Sequence, residues 1–391
     1  MTHRVRAFAL VALVAAACSC EAGPAAQAPG ATPSPAGIAT PADCAQRTLA
    51  GLTQRQRIGQ LFFLGLAGNQ LGPAERSAIE TYAAGSVWFT DFSTAPSASV
   101  AAVSAQVQAL ATPSTANIGF LIGANQEGGQ IDQFRGPGFS PIPSALQQGT
   151  EDPATLQTEA ALWAAQLKAA GINLDLAPVM DTVPAGQDAS NAPIGALQRE
   201  LGHDPATVSS HGLAFIAGMH QSNVLVTIKH FPGLGRVAGN TDFSAAVVDH
   251  TTTAGDPYLV PFAQAINAGA DLVMVSTATY TQIDAQHLAV FSPAVIGLLR
   301  HQLHFGGVVV SDDLGAAAAV ASIPAGDRAV DFIAAGGDLV TVKNADLVAP
   351  MTTAIADRVR TDPVFAGQVD GAVTRVVQLK IRAGLASCET A

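Results

Sequence analysis

Two stretches of the sequence carry side chains that could do chemistry, and the first begins at Lys229 and His230. An apolar, β-branched run precedes this pair, and Pro232 and several glycines after it interrupt regular structure. A buried strand is therefore predicted to deliver Lys229 and His230 to the start of a loop. The loop is polar up to Asp242, so it could carry a proton donor over a pocket, although an ordinary turn after a strand is polar too.

The second stretch places two carboxylates directly after an apolar run. Residues 307–310 read Gly-Val-Val-Val, and Ser311, Asp312 and Asp313 follow. Cleavage of a glycosidic bond needs a carboxylate nucleophile and a proton donor on opposite sides of a pocket. Alternatives are a capping role, which suits Asp313, and a metal ligand. A magnesium site would need more clustered oxygen ligands than the sequence offers.

The elements that must position these residues form a regular series. Apolar runs alternate with helical stretches, and several helices begin with Asp-Pro or Ser-Pro, a capping residue followed by a proline. The strand candidates are residues 59–66, 85–89, 118–123, 172–179, 224–228, 271–275, 307–310 and 338–342. Eight strand-helix units predict a (β/α)8 TIM-type barrel in the α/β class. A doubly wound sheet is the alternative, but the first strand lacks a glycine-rich phosphate turn.

In such a barrel the chemistry lies at the carboxyl ends of the strands. From the third strand onward each strand is followed by polar residues, which predicts a pocket suited to sugar hydroxyls. These residues are Asn125, Gln126 and Glu127; Asp181; Lys229 and His230; Ser276 and Thr277; Ser311, Asp312 and Asp313; and Lys343 and Asn344.

Composition limits the class of protein. The chain has 391 residues, of which 49% are hydrophobic and 13% charged, with a formal net charge of -11. This is typical of a globular protein with a large core, and it argues against nucleic acid as a partner and against adhesion to anionic lipid. No cofactor is expected.

The N-terminus predicts export. Arg4 and Arg6 precede an apolar run at 7–17, so residues 1–17 are interpreted as a signal peptide. Small residues before Cys18 resemble a bacterial lipobox and predict lipidation of Cys18; Cys20 is a weaker candidate, and simple secretion is the alternative. The protein would then lie at the outer face of the cell membrane, or be secreted.

The remaining chain is divided into a tether and a barrel. Residues 18–43 are rich in Ala, Pro and Gly, and residues 44–391 form the predicted barrel domain. Cys44 and Cys388 stand at its two ends and are predicted to form a disulfide. No metal site is expected, because neither cysteine has a His or Cys partner at ligand spacing.

Taken together, four motifs resemble the single-domain bacterial β-N-acetylglucosaminidases of glycoside hydrolase family 3. They are Gln-Glu-Gly-Gly at 126–129, Gly-Ile-Asn-Leu-Asp-Leu-Ala-Pro-Val at 171–179, Lys-His-Phe-Pro-Gly-Leu-Gly at 229–235 and Ser-Asp-Asp-Leu at 311–314. The resemblance spans about residues 55–385. It implies a (β/α)8 barrel, a retaining double displacement through a covalent glycosyl-enzyme, and N-acetylglucosaminides from cell-wall muropeptides as substrates.

The resemblance also implies roles for individual residues. Asp312 matches the family nucleophile, and Lys229 and His230 match the pair that holds sugar hydroxyls. Arg199 falls on a substrate-binding arginine. Two departures concern binding: Asn125 stands where the family usually has Asp, and Gln133 where it has a sugar-binding Arg.

A third departure concerns the proton donor. The family places Asp-x-His in the mobile loop, where this sequence has Asn240, Thr241 and Asp242. Asp242 is predicted to donate the proton, since a carboxylic acid can do so in a suitable pocket. Asp249 and His250 are the alternatives.

Three functions therefore remain open. The first is an exported retaining glycosidase acting on β-linked N-acetylglucosamine. The second is a sugar-binding lipoprotein whose catalysis has decayed, favoured by Asn125, Gln133 and the missing loop histidine. The third is a β-glucosidase on the same fold.

Overall fold

The computed structural model describes residues 40–387. The predicted signal peptide, Cys18 and most of the tether lie outside the described residues, as does Cys388. Within residues 40–387, no helix is both long and apolar enough to cross a membrane.

The predicted barrel is confirmed, with eight parallel strands at its centre. The strands are β1 (Phe62–Leu66), β2 (Ser86–Phe89), β3 (Leu121–Ala124), β4 (Leu174–Asp175), β5 (Leu225–Phe231), β6 (Leu272–Val275), β7 (Val308–Ser311) and β8 (Val340–Val342). Neighbours in the sheet follow chain order from β1 to β7, and β8 pairs with β1. A bridge between Val310 and Leu339 joins β7 to the start of β8 and closes the barrel.

Helices cover the outside of this sheet. They are α1 (Pro41–Gly51), α2 (Gln54–Gly59), α3 (Pro73–Tyr82), α4 (Ser97–Gln108), α5 (Ala145–Gln148), α6 (Pro153–Ala169), α7 (Pro205–His220), α8 (Val260–Asn267), α9 (Pro293–Gly297), α10 (Ala325–Ala334), α11 (Val348–Thr361) and α12 (Pro363–Arg382). The predicted caps are present, because the side chains of Asp152, Asp204 and Ser292 accept backbone N–H groups of α6, α7 and α9. These caps fix where the helices begin and therefore how long the preceding loops are.

The barrel interior is filled by side chains from alternating strand positions. Phe63, Leu121, Leu174, Leu272 and Val308 are among the buried residues of this inner cluster. Val376 and Leu379 of α12 join the same cluster. Lys380 of α12 donates hydrogen bonds to Gln60 and to the carbonyl of Gly85, just before β2. Helix α12 therefore closes the amino end of the barrel and leaves the carboxyl end open.

Several element bounds differ from the prediction. Strand β5 extends to Phe231, so Lys229 and His230 lie within the strand and not at the start of the loop. Helix α2 occupies residues up to Gly59, so β1 begins at Phe62 and not at residue 59. Strand β4 is only two residues long, although the N–H of Leu176 and the carbonyl of Ala177 still bond to the backbone of the neighbouring strands. Helix α1 begins at Pro41, capped by Thr40, so residues 41–43 of the predicted tether belong to this helix.

Candidate active site

A cavity of about 550 Å³ lies at the carboxyl end of the barrel. All seven residues predicted for catalysis or substrate binding line it: Asn125, Gln133, Arg199, Lys229, His230, Asp242 and Asp312. Phe92 and Phe243 stand exposed at the edge of the same cavity. Strands β3, β5 and β7 supply most of these residues, so closing the barrel brings distant parts of the chain to one rim.

Glu127 links the two basic side chains on one wall of the cavity. Its carboxylate accepts two hydrogen bonds from the Arg199 guanidinium, both 2.8 Å long, and lies 2.6 Å from Nζ of Lys229. Lys229 Nζ also donates to Oδ1 of Asn125 at 2.7 Å. The Glu127 carboxylate therefore holds both Arg199 and Lys229 in place, and the Asn125 amide oxygen also orients Lys229.

The protonation of this cluster follows from its geometry. Burial alone would raise the pKa of Glu127, but the charges of Arg199 and Lys229 and their hydrogen bonds lower it to about 2. Burial lowers the pKa of Lys229, and Glu127 opposes that shift. The triad therefore carries one net positive charge when Lys229 is protonated, which suits the binding of electronegative sugar oxygens.

His230 is oriented by Asp181 at the end of β4. Its Nδ1 lies 2.8 Å from Oδ2 of Asp181, and its backbone N–H donates to Oδ1 at 3.1 Å. The same Oδ1 accepts the N–H of Leu234 at 2.8 Å. Since Asp181 occupies Nδ1, Nε2 of His230 is the nitrogen available to the cavity, 3.5 Å from the Arg199 guanidinium.

The two carboxylates after β7 have different environments. Asp313 accepts the N–H groups of Gly315, Ala316 and Lys343, so it organises the loop, which agrees with the capping role considered for it. Within residues 40–387 the Asp312 side chain accepts one hydrogen bond, from the N–H of Asp313 at 2.9 Å, and it lines the cavity. Burial raises the pKa of Asp312; nearby His230 opposes this shift and Asp242 adds to it. Asp312 thus accepts fewer hydrogen bonds than Asp313, and its protonation is affected by His230 and Asp242.

The loop that carries Asp242 is anchored at its base and exposed at its far end. Asn191 donates to the carbonyls of Leu234 and Val237, each at 2.7 Å, and Arg236 forms a bidentate pair with Asp256 at 2.6 and 3.0 Å. Gly235 belongs to this base because an added Cβ would lie 1.9 Å from the carbonyl oxygen of Thr182. The base of the loop is therefore fixed as far as Val237, beyond the glycines at 233 and 235.

Asp249 and His250 do not line the cavity. Asp249 is buried and accepts the N–H and hydroxyl groups of both Thr251 and Thr252. His250 is exposed beside Thr281. Asp242 lines the cavity, whereas these two alternatives for the proton donor do not, and the role of Asp242 stays a prediction.

The two substituted binding residues contact each other. Oε1 of Gln133 accepts the backbone N–H of Asn125 at 2.7 Å, and its amide donates to the carbonyl of Asp91 at 3.2 Å. Gln133 therefore supports the rim through neutral hydrogen bonds and brings no charge to the cavity. The oxygen of Asn125 is used by Lys229.

Two residues of this site were not assigned roles from the sequence. Glu127 and Asp181 were noted only as polar residues after strands, yet they position Lys229, Arg199 and His230. Their positions after strands indicated in the sequence that they lie at the rim of the barrel. Their partners could be identified only from the structure, which shows that β3, β4 and β5 are neighbours.

Comparison with known proteins agrees with this architecture. Residues 53–379 match the glycosyl hydrolase family 3 N-terminal domain. A protein named β-hexosaminidase from Xanthomonas campestris pv. campestris is 33% identical over 325 residues, covering 79% of this chain and 92% of the relative.

Solved structures are similar over the same region. The β-N-acetylhexosaminidase from Beutenbergia cavernae is 47% identical, with a TM-score of 0.84, and the match covers 85% of this chain and 99% of that one. A family 3 β-N-acetylglucosaminidase from Paenibacillus is 28% identical, with a TM-score of 0.78, over 86% of this chain and 63% of that one. The chain therefore belongs to glycosyl hydrolase family 3 and is a glycoside hydrolase of the β-N-acetylhexosaminidase type.

Proposed function

We propose that this protein is a retaining β-N-acetylhexosaminidase that removes β-linked N-acetylglucosamine from cell-wall fragments. The observation that carries the proposal is the convergence of Asp312, Asp242 and the cluster of Arg199, Lys229 and His230 on one cavity. The activities named for the relatives support the choice of sugar. The predicted signal peptide supports a substrate outside the cytoplasm.

In the proposed reaction Asp312 attacks the anomeric carbon, and the glycosidic bond breaks as a proton from Asp242 reaches the leaving oxygen. Asp242 then removes a proton from water, which attacks the same carbon and releases Asp312 as the carboxylate. Two displacements return the anomeric carbon to its original β configuration.

The basic wall would hold the sugar in the first displacement. Arg199, Lys229 and Nε2 of His230 provide donors for hydroxyl groups, and Glu127, Asn125 and Asp181 keep these donors in place. The exposed rings of Phe92 and Phe243 at the cavity edge offer apolar surfaces against which the leaving-group sugar could pack.

We also propose that the protein is exported and, through Cys18, anchored to the outer face of the cell membrane by lipid. The arginines before the apolar run and the small residues before Cys18 support this proposal. Metabolic labelling with a fatty acid, compared between the native protein and Cys18→Ser, tests it; equal labelling of both would contradict lipidation at Cys18.

A panel of chromogenic β-glycosides tests the activity, with the first-formed product anomer followed by NMR. The N-acetyl-β-glucosaminide should be the preferred substrate and should yield the β-anomer first. Initial release of the α-anomer would overturn the retaining mechanism, and preference for the β-glucoside would overturn the choice of sugar. Tight sugar binding with no turnover of any glycoside would favour the binding-protein alternative.

A further inference from the structure

A second group of ionisable side chains lies outside the cavity. Asp188, Glu200 and His203 each offer one ligand atom, and these atoms all lie within 4.8 Å of one another. Asp188 begins the short 3-10 turn Asp188–Ser190, whereas Glu200 and His203 precede α7. None of the three lines the cavity, and the mechanism uses none of them.

Glu200 is the unusual member of this group. Its side chain is fully buried, and neither carboxylate oxygen accepts a hydrogen bond from a donor among residues 40–387; the neighbouring Asp188 carboxylate could pair with it only by sharing a proton. Oδ1 of Asp188 is also buried, and within the same residues it faces only Nδ1 of His203, at 3.5 Å, without hydrogen-bond geometry. A buried carboxylate with no donor is costly, so buried charges in proteins are normally paired or bound to a metal. The two unpaired oxygens of Glu200, next to a third carboxylate oxygen that is only weakly paired, therefore indicate a missing positive partner.

The cluster is open on one side. Asp188 and His203 are about one-third exposed, at 36% and 35% of their side chains, so an ion can reach Glu200 from solvent between them. Nδ1 of His203 lies 3.5 Å from Oδ1 of Asp188 and 3.3 Å from the carbonyl of Val183. The histidine therefore faces the Asp188 carboxylate, and binding an ion through Nδ1 requires the tautomer that carries its proton on Nε2, in place of the contact with Val183.

We propose that Asp188, Glu200 and His203 bind a divalent transition-metal ion, for which zinc is the best fit. Carboxylate oxygens and imidazole nitrogens are both zinc ligands, and three of them leave the fourth tetrahedral position to water, whereas calcium and magnesium favour oxygen ligands alone. Ligand atoms around tetrahedral zinc are roughly 3.4 Å apart. Small side-chain rotations would bring the three atoms from their present separations, all within 4.8 Å, to that spacing.

The ion would brace the loop that carries Arg199. Metal bonds would join residue 188 to residues 200–203, on either side of the segment from which Pro193, Leu197 and Arg199 line the cavity. Asn191 fixes the same segment from within, since its Oδ1 accepts the N–H groups of Ile194 and Gly195. The metal would therefore position the segment that carries Arg199 and would take no part in the reaction itself.

Calorimetry tests the proposal independently of activity. The full mature protein is stripped with EDTA, checked for residual metal by mass spectrometry, and titrated with zinc chloride. One site per chain is expected, with a rise in Tm of a few degrees at saturating zinc. Glu200→Gln and His203→Asn should each abolish that site. His287→Asn is the matched control, because His287 pairs with Asp284 at 2.9 Å without a third ligand, and it should leave the site intact.

Two results would overturn the proposal. One is zinc binding that persists in Glu200→Gln, which would place the ion elsewhere. The other is no zinc binding by the native protein; a Glu200→Gln variant at least as stable would then show that a shared proton joins Glu200 and Asp188. Calcium bound in preference to zinc would overturn the assignment of the metal.

Discussion

The backbone carbonyl of Asp242 accepts a hydrogen bond of 3.1 Å from the N–H of Ala318. The neighbouring carbonyl of Thr241 accepts the N–H of Ala319 at 3.1 Å. The tip of the loop that carries the proposed donor is thus docked by its main chain onto the segment that follows Asp312 and Asp313. This contact holds Asp242 at the cavity while its side chain remains exposed, so donor and nucleophile are positioned against each other by two adjacent loops.

Replacing Asp242 by Ala should affect poor leaving groups most. A disaccharide needs proton donation, whereas an aryl glycoside with an acidic phenol does not, so turnover of the disaccharide should fall about 100-fold or more and the activated substrate far less. Azide needs no general base and should restore turnover of the activated substrate as a β-glycosyl azide. Steady-state kinetics on both substrates, with and without azide, provide the measurement.

His250→Ala is the matched control for that experiment. His250 is exposed and lies outside the cavity, so the variant should retain native kinetics on both substrates. Equal losses on both substrates in Asp242→Ala, with no response to azide, would show that the donor lies elsewhere.

Asp312→Asn should separate chemistry from folding. The amide keeps an oxygen to accept the N–H of Asp313 but cannot attack the anomeric carbon, so kcat should fall by at least about 1,000-fold with little change in unfolding free energy. Its neighbour behaves in the opposite way: Asp313→Asn removes one acceptor from a loop held by three backbone N–H groups, and should cost about 1–3 kcal/mol of stability. Kinetics and urea unfolding of both variants give the comparison. Near-native turnover in Asp312→Asn would remove it from the nucleophile role.

The positions of the site residues were predictable because a closed parallel barrel brings every strand's carboxyl end to one rim. Lys229, His230 and Asp312 follow apolar runs in the sequence, and that alone placed them in a common pocket. The partners of those residues could not be predicted, because the pairing of Glu127 with both Arg199 and Lys229 depends on distances across strands β3 to β5 and the loop before α7.

The burial of Lys380 is a feature of the fold that could not be predicted from the sequence either. A lysine in a C-terminal helix normally points to solvent, yet Lys380 is fully buried and bonded to Gln60 at 2.7 Å. Its burial follows from α12 closing the amino end of the barrel, which no local pattern encodes. Burial lowers the pKa of Lys380 to about 7.

The predicted disulfide between Cys44 and Cys388 remains a prediction, supported by the packing of α1 against α12 near the two ends of the domain. Non-reducing peptide mapping by mass spectrometry should find the cross-linked peptide. Cys44→Ser should lower stability by a few kcal/mol, because without the disulfide the unfolded chain gains conformational entropy. Alkylation of both cysteines in the unreduced, denatured protein would contradict the pairing.

The ion pairs of Glu127 should make stability depend on pH. Its pKa is about 2 in the folded protein and 4.5 in an unperturbed glutamate, so the unfolded chain binds the additional proton between these values. Its contribution is therefore fully present above about pH 4.5 and is lost as the pH falls towards about 2.

Glu127→Gln leaves Lys229 and Arg199 without their carboxylate and should cost about 3–5 kcal/mol at pH 6, with a smaller difference from the native protein at pH 3. Glu80→Gln is the control, since the Glu80 side chain pairs with Arg76 on the exposed surface, and this variant should change stability by less than about 1 kcal/mol at either pH. Urea unfolding of the three proteins from pH 3 to pH 6 gives the measurement, and a Glu127→Gln deficit that stays constant across this range would show that the carboxylate is not held ionised by its basic neighbours.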